Sequence, residues 1–421
     1  MYAKSLDIYA FKAFGKARLR LQYPGRRSPQ PPRLRNVNLV LGDNGGGKSS
    51  VLRALAIAIL APALLESGFV PYRLVRRGRP EERTYDTALL KVSGEAGSGE
   101  IVPNPEAKRQ SNTIELLARI ELRPRGSLDR LHLDRTPASP IADLISDDYS
   151  PAFFVVGYGA TRRVETGDYS PSSERQRRGL RYQRVAGLFE DHLALRPLQA
   201  WLPKLRDRNP ERFAQAVDLI NAVLPESIRF SGDSAPDEEQ LTFLFEGVPT
   251  PFTALSDGYK AFVGWVGDLV GHLADVAPDS AKLADVRGVV LVDEIDLHLH
   301  PSWQRSVVPM LAQALPRLQF VFTSHSPLVA STVERENVFV TTTDDDGTAT
   351  IRQLDEKVFG RSAEQLLLSS YFGLESTRPS TFQDQARVLF RRAADGDSEA
   401  ALAYLDSLTA PAEQARESNQ A

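Results

Sequence analysis

Two clusters of residue types in this chain have the spacing for phosphate chemistry. The first is GDNGGGKSS, Gly42 to Ser50, where four glycines, a lysine and two hydroxyls fall within nine residues. Glycines let the backbone curl until successive N–H groups point inward, and the positive end of a following helix adds to the field on an anion. In the spacing G-x-x-x-x-G-K-S, Lys48 reaches the β- and γ-phosphates of a nucleoside triphosphate and Ser49 offers its hydroxyl to Mg²⁺. Gly42, Asn44, Gly45, Gly46, Gly47 and Ser50 complete the expected cradle. The second cluster is VVLVDEID, Val289 to Asp296, apolar enough for a strand buried on both faces and ending in carboxylates. Asp293 is the expected ligand in the Mg²⁺ shell, and Glu294 the group that polarises the attacking water.

These residues need elements to hold them. VNLVLG before the loop reads as a strand and SVLRALAIAIL after it as a helix, the order a phosphate loop requires. TALSDGYKAF, with Ser256, Asp257 and Gly258, opens an apolar helix, and QFVFTSHSPLV is another buried strand, ending at Ser324 and His325. Residues 1–41 read as β-rich with a Pro/Arg loop, 84–123 as strands, 124–152 as loop-rich, and Leu180 to about Leu224 as helical with Trp201 and Leu205 facing a core. TTTDDDGTAT reads as a hairpin turning at Asp-Gly rather than a cation site. His298 and His300 lack a cysteine or third histidine nearby, so a loop role is preferred over metal ligation.

Taken in order, these four motifs resemble the Walker A, signature, Walker B and switch histidine of ABC-type ATPases of the SMC and RecF class. LSDGY, DEIDLHLHP and TSHSP are most similar to the bacterial ATPases related to the OLD family and to PtuA of the Septu antiviral defence system. The resemblance covers most of the chain. It implies that IYAFKAF is the opening strand of an N-terminal β-lobe with Lys12 near the nucleotide, and that FFVVGYGATRR precedes a helical insertion. It implies that Ser256 and the Gly258 amide touch the γ-phosphate bound by a partner subunit, that His325 senses that phosphate, and that the 298–300 loop meets the partner. Asp257 stands where the usual signature has its first glycine, and no Q-loop glutamine is evident, so hydrolysis is expected to be slow. The OLD nucleases carry a further nuclease domain, but only 96 residues follow His325 here, so no intrinsic nuclease is expected.

Composition sets the surroundings. With 42% hydrophobic and 25% charged residues among 421, the chain is ordinary globular material, and zero cysteines fits a reducing cytoplasm. MYAKSLDIYAF has no apolar core of signal-peptide length, and ALAIAILAPALL is too short to span a bilayer, so no membrane is expected. Charge is divided unevenly: residues 1–210 carry 35 Lys and Arg against 22 Asp and Glu, residues 211–421 carry 16 against 32. The densest cation cluster is Arg175, Arg177, Arg178, Arg181 and Arg184 around Tyr182. It reads either as a nucleic-acid patch or as a solvated, ion-paired face.

The fold expected is α/β: a P-loop ABC-type ATPase head over 1–352, with an N-terminal β-lobe and a helical insertion at about 160–225, then a C-terminal helical region and polar tail over 353–421. The resemblance implies an ATP- and Mg²⁺-dependent regulatory subunit that forms a head-to-tail dimer or larger even assembly and controls a separate effector. The alternative is a RecF-like ATPase acting on DNA itself. The C-terminal region is either an effector-docking surface or a cap on the core.

Overall fold

The computed structural model describes residues 1–78, 85–101, 112–123, 127–133, 140–148, 150–164, 178–234 and 241–406. The chain separates into two compact units, Met1–Leu366 and Leu367–Ala421.

An eleven-stranded sheet organises the first unit. Its antiparallel half consists of β1 (Tyr2–Phe11), β2 (Phe14–Arg20), β4 (Thr87–Glu95), β5 (Thr113–Glu121) and β6 (Arg130–His132); its parallel half of β3 (Val37–Gly42), β7 (Val155–Tyr158), β13 (Gly288–Val292), β14 (Leu318–Thr323) and β15 (Val338–Thr343). The order is β6-β5-β4-β1-β2-β16-β15-β3-β14-β13-β7, with β16 (Ala349–Arg352) joining the halves. The β-lobe is thus continuous with the ATPase sheet. Every residue of β13 and β14 is buried, as parallel strands covered on both faces require. β1 and β2 instead approach strict alternation, the pattern of a sheet with one solvated face. Buried amides lock the halves together: Gln319 on β14 donates to the Ala3 and Gln22 carbonyls at 2.7 and 2.8 Å and accepts the Ala3 N–H at 2.7 Å.

β15 and β16 form the hairpin expected of the acidic run, turning through Gly347 at φ 77°. The P-loop helix, Lys48–Leu65, is the one described helix long and apolar enough for a membrane, and most of it is buried in the core. The insertion contains a two-residue parallel pair, β8 (Arg163–Val164) with β9 (Ala194–Leu195), and the helices Leu202–Arg208 and Pro210–Val223. Asn209 caps the second helix by accepting the Arg212 N–H. A meander of β10 (Ile228–Ser234), β11 (Leu241–Phe245) and β12 (Val248–Pro251) then leads into the signature helix, Asp257–Val276, whose apolar face from Phe262 to Leu273 is buried.

The second unit contains the helix Ser380–Ala394, which has no buried residue, and a helical segment at 398–406; the tilted rings of Phe390 and Tyr404 meet between them with centroids 5.7 Å apart.

Candidate active site

The parallel half of the sheet brings the expected residues to the ends of three neighbouring strands. β3 delivers the P-loop, β13 the Walker B carboxylates, and β14, which lies between them, Ser324 and His325. Such a row of strand C-termini is where open α/β sheets bind ligands.

Gly42 leaves β3 with φ 140°, and a Cβ there would sit 2.2 Å from Thr341 Oγ1, so only glycine fits. The loop closes on itself: Lys48 Nζ donates to the Gly42 and Asp43 carbonyls at 2.9 and 2.8 Å. Gly47 caps the following helix in the left-handed region, and no acidic side chain occupies the first turn, so the positive helix end carries no built-in anion. Asn44 and Gly45 are exposed at the loop tip, whereas Gly46, Lys48 and Ser50 are buried and Ser49 is half-buried. Burial pulls the Lys48 ammonium down in pKa, opposed by Asp293, Glu294, Asp43 and Asp296. The two motifs therefore converge on one electrostatic site.

At the end of β13 the chain turns sharply. Glu294 has φ 49° and His298 φ 64°, a region that non-glycine residues enter only where surrounding structure holds them. Thr323, fully buried at the end of β14, provides part of that hold: its Oγ1 donates to Asp293 Oδ1 at 2.5 Å and accepts the Glu294 N–H at 2.7 Å. Sequence reasoning missed Thr323. It lies two residues before His325 in the quoted motif, and β14 pairing beside β13 is the signal that singles it out. Ser49, Asp293 and Asp296 offer only oxygen donors, and Asp296 Oδ1 is buried without a partner, so the residues present suit a hard divalent cation.

Ser324 donates its backbone N–H to the Val40 carbonyl at 3.2 Å, which fixes the switch segment against β3. Ser326 caps the next helix and donates to Gln304 Oε1 at 2.6 Å, while His325 between these two serines is exposed. Ser256 and Gly258 lie elsewhere, in a recess of about 340 Å³ shared with Tyr259, His298, His300 and Trp303 and with no P-loop residue. Ser256 stands at the N-cap of the signature helix, yet its side chain makes no capping bond. Gly258 passes so close to the 298–300 loop that a Cβ would lie 2.5 Å from the His298 carbonyl oxygen. Lys12 takes φ 51° in the turn between β1 and β2; burial lowers its pKa to about 8, further lowered by Arg53 on the P-loop helix and opposed by Asp129.

The arginine cluster requires correction. Arg175 and Arg177 lie outside the described residues. Arg181, 2% exposed, donates to the carbonyls of Leu144, Asp147, Ser150, Ala152 and Phe153, which uses all five of its N–H groups. Arg184 is buried over the Phe154 ring, and Arg178 makes a two-pronged bond to Glu190 at 2.6 and 2.7 Å. Arg181 and Arg184 thus hold the insertion to the entry of β7, and Arg178 is ion-paired within the insertion. Local density of Arg cannot distinguish this arrangement from a nucleic-acid patch, because both favour an aromatic such as Tyr182 nearby.

Fold and site together define a P-loop ATPase of the ABC-type head arrangement. Residues 37–331 match the family described as "AAA domain, putative AbiEii toxin, Type IV TA system", and the chain belongs to that family. At the family level it is an ATPase, with nucleotide binding implied. The Septu protein PtuA of Bacillus mycoides (strain KBAB4) is 26% identical over 380 residues, 90% of this chain and 46% of its own length. The Retron Ec83 probable ATPase of Escherichia coli is 32% identical over 154 residues, 36% of this chain and 28% of its own. An SMC head, solved bound to the C-winged helix domain of ScpA, gives a TM-score of 0.49 at 16% identity over 84% of this chain and 98% of its own. The chain spans half the length or less of the curated relatives it matches.

Proposed function

We propose that this chain is the Mg²⁺-dependent, ATP-hydrolysing regulatory subunit of a bacterial antiviral defence assembly, in which nucleotide occupancy controls a separate effector, a nuclease or toxin. The observation that carries the reading is the placement of Lys48 in the shared field of Asp293, Glu294 and Asp296 at the C-terminal ends of neighbouring parallel strands. Lys48 and the P-loop amides bind the triphosphate. Ser49 and Asp293 would hold Mg²⁺, which when bound would neutralise charge on the phosphates. Glu294 orients and polarises the attacking water, and His325 senses the γ-phosphate. Ser256 and the Gly258 amide complete the site of a second copy, consistent with their separate recess and with the absence of a Ser256 capping bond. Asp257, fully exposed beside them, brings a carboxylate toward that phosphate, so turnover is slow.

The defence setting draws on the names of the related Septu and retron proteins, and control of a separate effector on the resemblance to PtuA-like subunits. Direct action on DNA draws on the arginine cluster, whose three described members are committed within the protein. Purification from the native host tests the choice. A second protein whose activity changes when ATP is added should co-purify; nucleic acid co-purifying alone, with no such protein, would favour the RecF-like alternative.

A further inference from the structure

β7 and β13 pair in parallel with Tyr158 opposite Val292, and the Asp293 N–H donates to the Tyr158 carbonyl at 2.8 Å. Four residues beyond Tyr158, Arg162 turns back over the Walker B turn. Its Nη2 donates to the Glu294 carbonyl, which also accepts the Leu297 N–H at 3.0 Å. The Glu294 N–H is held by Thr323 Oγ1 at 2.7 Å. A residue with an unfavourable φ of 49° is therefore tied at both its N–H and its C=O. The other face of Arg162 meets Trp265 of the signature helix, with the guanidinium 6.0 Å from the ring centroid. Burial pulls its pKa down to about 10, against the opposing charges of Asp293, Asp296 and Glu294, so it stays cationic at neutral pH. Its directed bond goes to a backbone carbonyl and does not occupy the Glu294 carboxylate.

We propose that Arg162 is a positioning residue for hydrolysis, clamping the Walker B turn in the left-handed conformation that presents the Glu294 carboxylate to water. This rests on the reading of Glu294 as the water-polarising group. Arg162 acts through Glu294 and couples that turn to the signature helix through Trp265.

The test is ATP hydrolysis and equilibrium nucleotide binding of the whole chain carrying Arg162→Gln, Arg162→Lys, Glu294→Gln, or Arg162→Gln with Glu294→Gln. Loss of an outer positioning contact should lower kcat by roughly 10–100-fold, with KM and nucleotide affinity nearly unchanged. Arg162→Lys, which keeps a cationic donor, should recover part of the loss. The double variant should be no slower than Glu294→Gln alone, because a positioning residue has nothing further to position. An unchanged kcat, a parallel loss of nucleotide binding, or additive losses in the double variant would overturn the proposal. If Arg162→Gln does not fold, Arg162→Lys decides: lowered kcat at constant KM supports the clamp, and wild-type kcat overturns it. Wild-type hydrolysis by Glu294→Gln would instead sink the functional reading, and the clamp with it.

Discussion

Thr323 Oγ1 donates to Asp293 Oδ1 at 2.5 Å, so a hydroxyl on one parallel strand fixes the carboxylate that ends the next. The same oxygen accepts the Glu294 N–H at 2.7 Å. One buried atom thereby sets the spacing between the residue assigned to metal and the residue assigned to water.

Thr323→Val keeps the shape of the side chain but removes both bonds and strands the Glu294 N–H, at a cost of about 1–3 kcal/mol in stability. Hydrolysis should fall roughly 10–100-fold while ATP affinity changes less. Phosphate release alongside nucleotide titration checks the split; unchanged turnover would mean that the Walker B turn does not depend on Thr323.

Lys12 gives a pH signature. Its folded pKa of about 8 lies below the ordinary lysine value of about 10.4. Between those values the unfolded chain holds a proton that the folded chain releases, so this residue's contribution to stability rises with pH across that window, and the burial penalty is fully present below it. Lys12→Met should therefore raise the melting temperature at pH 7, and the advantage should shrink by pH 10. Equal melting temperatures at pH 7 would show that the amine is not desolvated in the fold.

Much of this geometry was legible in the chain itself. Val37–Gly42, Val289–Val292 and Leu318–Thr323 are short apolar runs, and the chemistry-bearing residues follow directly at their ends, so strand and site were visible together. Thr323 was hidden because a threonine closing an apolar strand looks like ordinary β-propensity until the neighbouring strand is known. Arg162 was hidden similarly, since its contact with Glu294 spans 132 residues of sequence. Arg181 misled for the opposite reason. Sequence shows a basic cluster but not the five carbonyls waiting for one member of it.

Arg181→Met should be among the most damaging substitutions in the insertion, because removing the guanidinium strips its bonds from the buried carbonyls of Ala152 and Phe153 and from the part-buried carbonyls of Leu144, Asp147 and Ser150. A loss of at least ~3 kcal/mol is expected. Chemical denaturation measures it, and a loss below about 1 kcal/mol would return Arg181 to the surface.

The proposed head-to-tail assembly places Ser256 against a second copy's nucleotide. A bulky cation there should block the recess offered to a second copy's nucleotide, so with ATP and Glu294→Gln the otherwise wild-type chain should form dimers or larger even assemblies, whereas adding Ser256→Arg should keep it monomeric. Light scattering distinguishes these, and an ATP-insensitive monomer in both would defeat the head-to-tail arrangement.

The most direct measurement of the central claim compares Lys48→Ala with Glu294→Gln for ATP affinity and phosphate release in the same preparation. Lys48→Ala should weaken ATP binding. Glu294→Gln should bind ATP as the parent does and lose turnover by about 100-fold or more, the scale of a missing general base. Equal loss of binding in both variants, or undiminished turnover in Glu294→Gln, would contradict the assignment of nucleotide to one residue and water to the other.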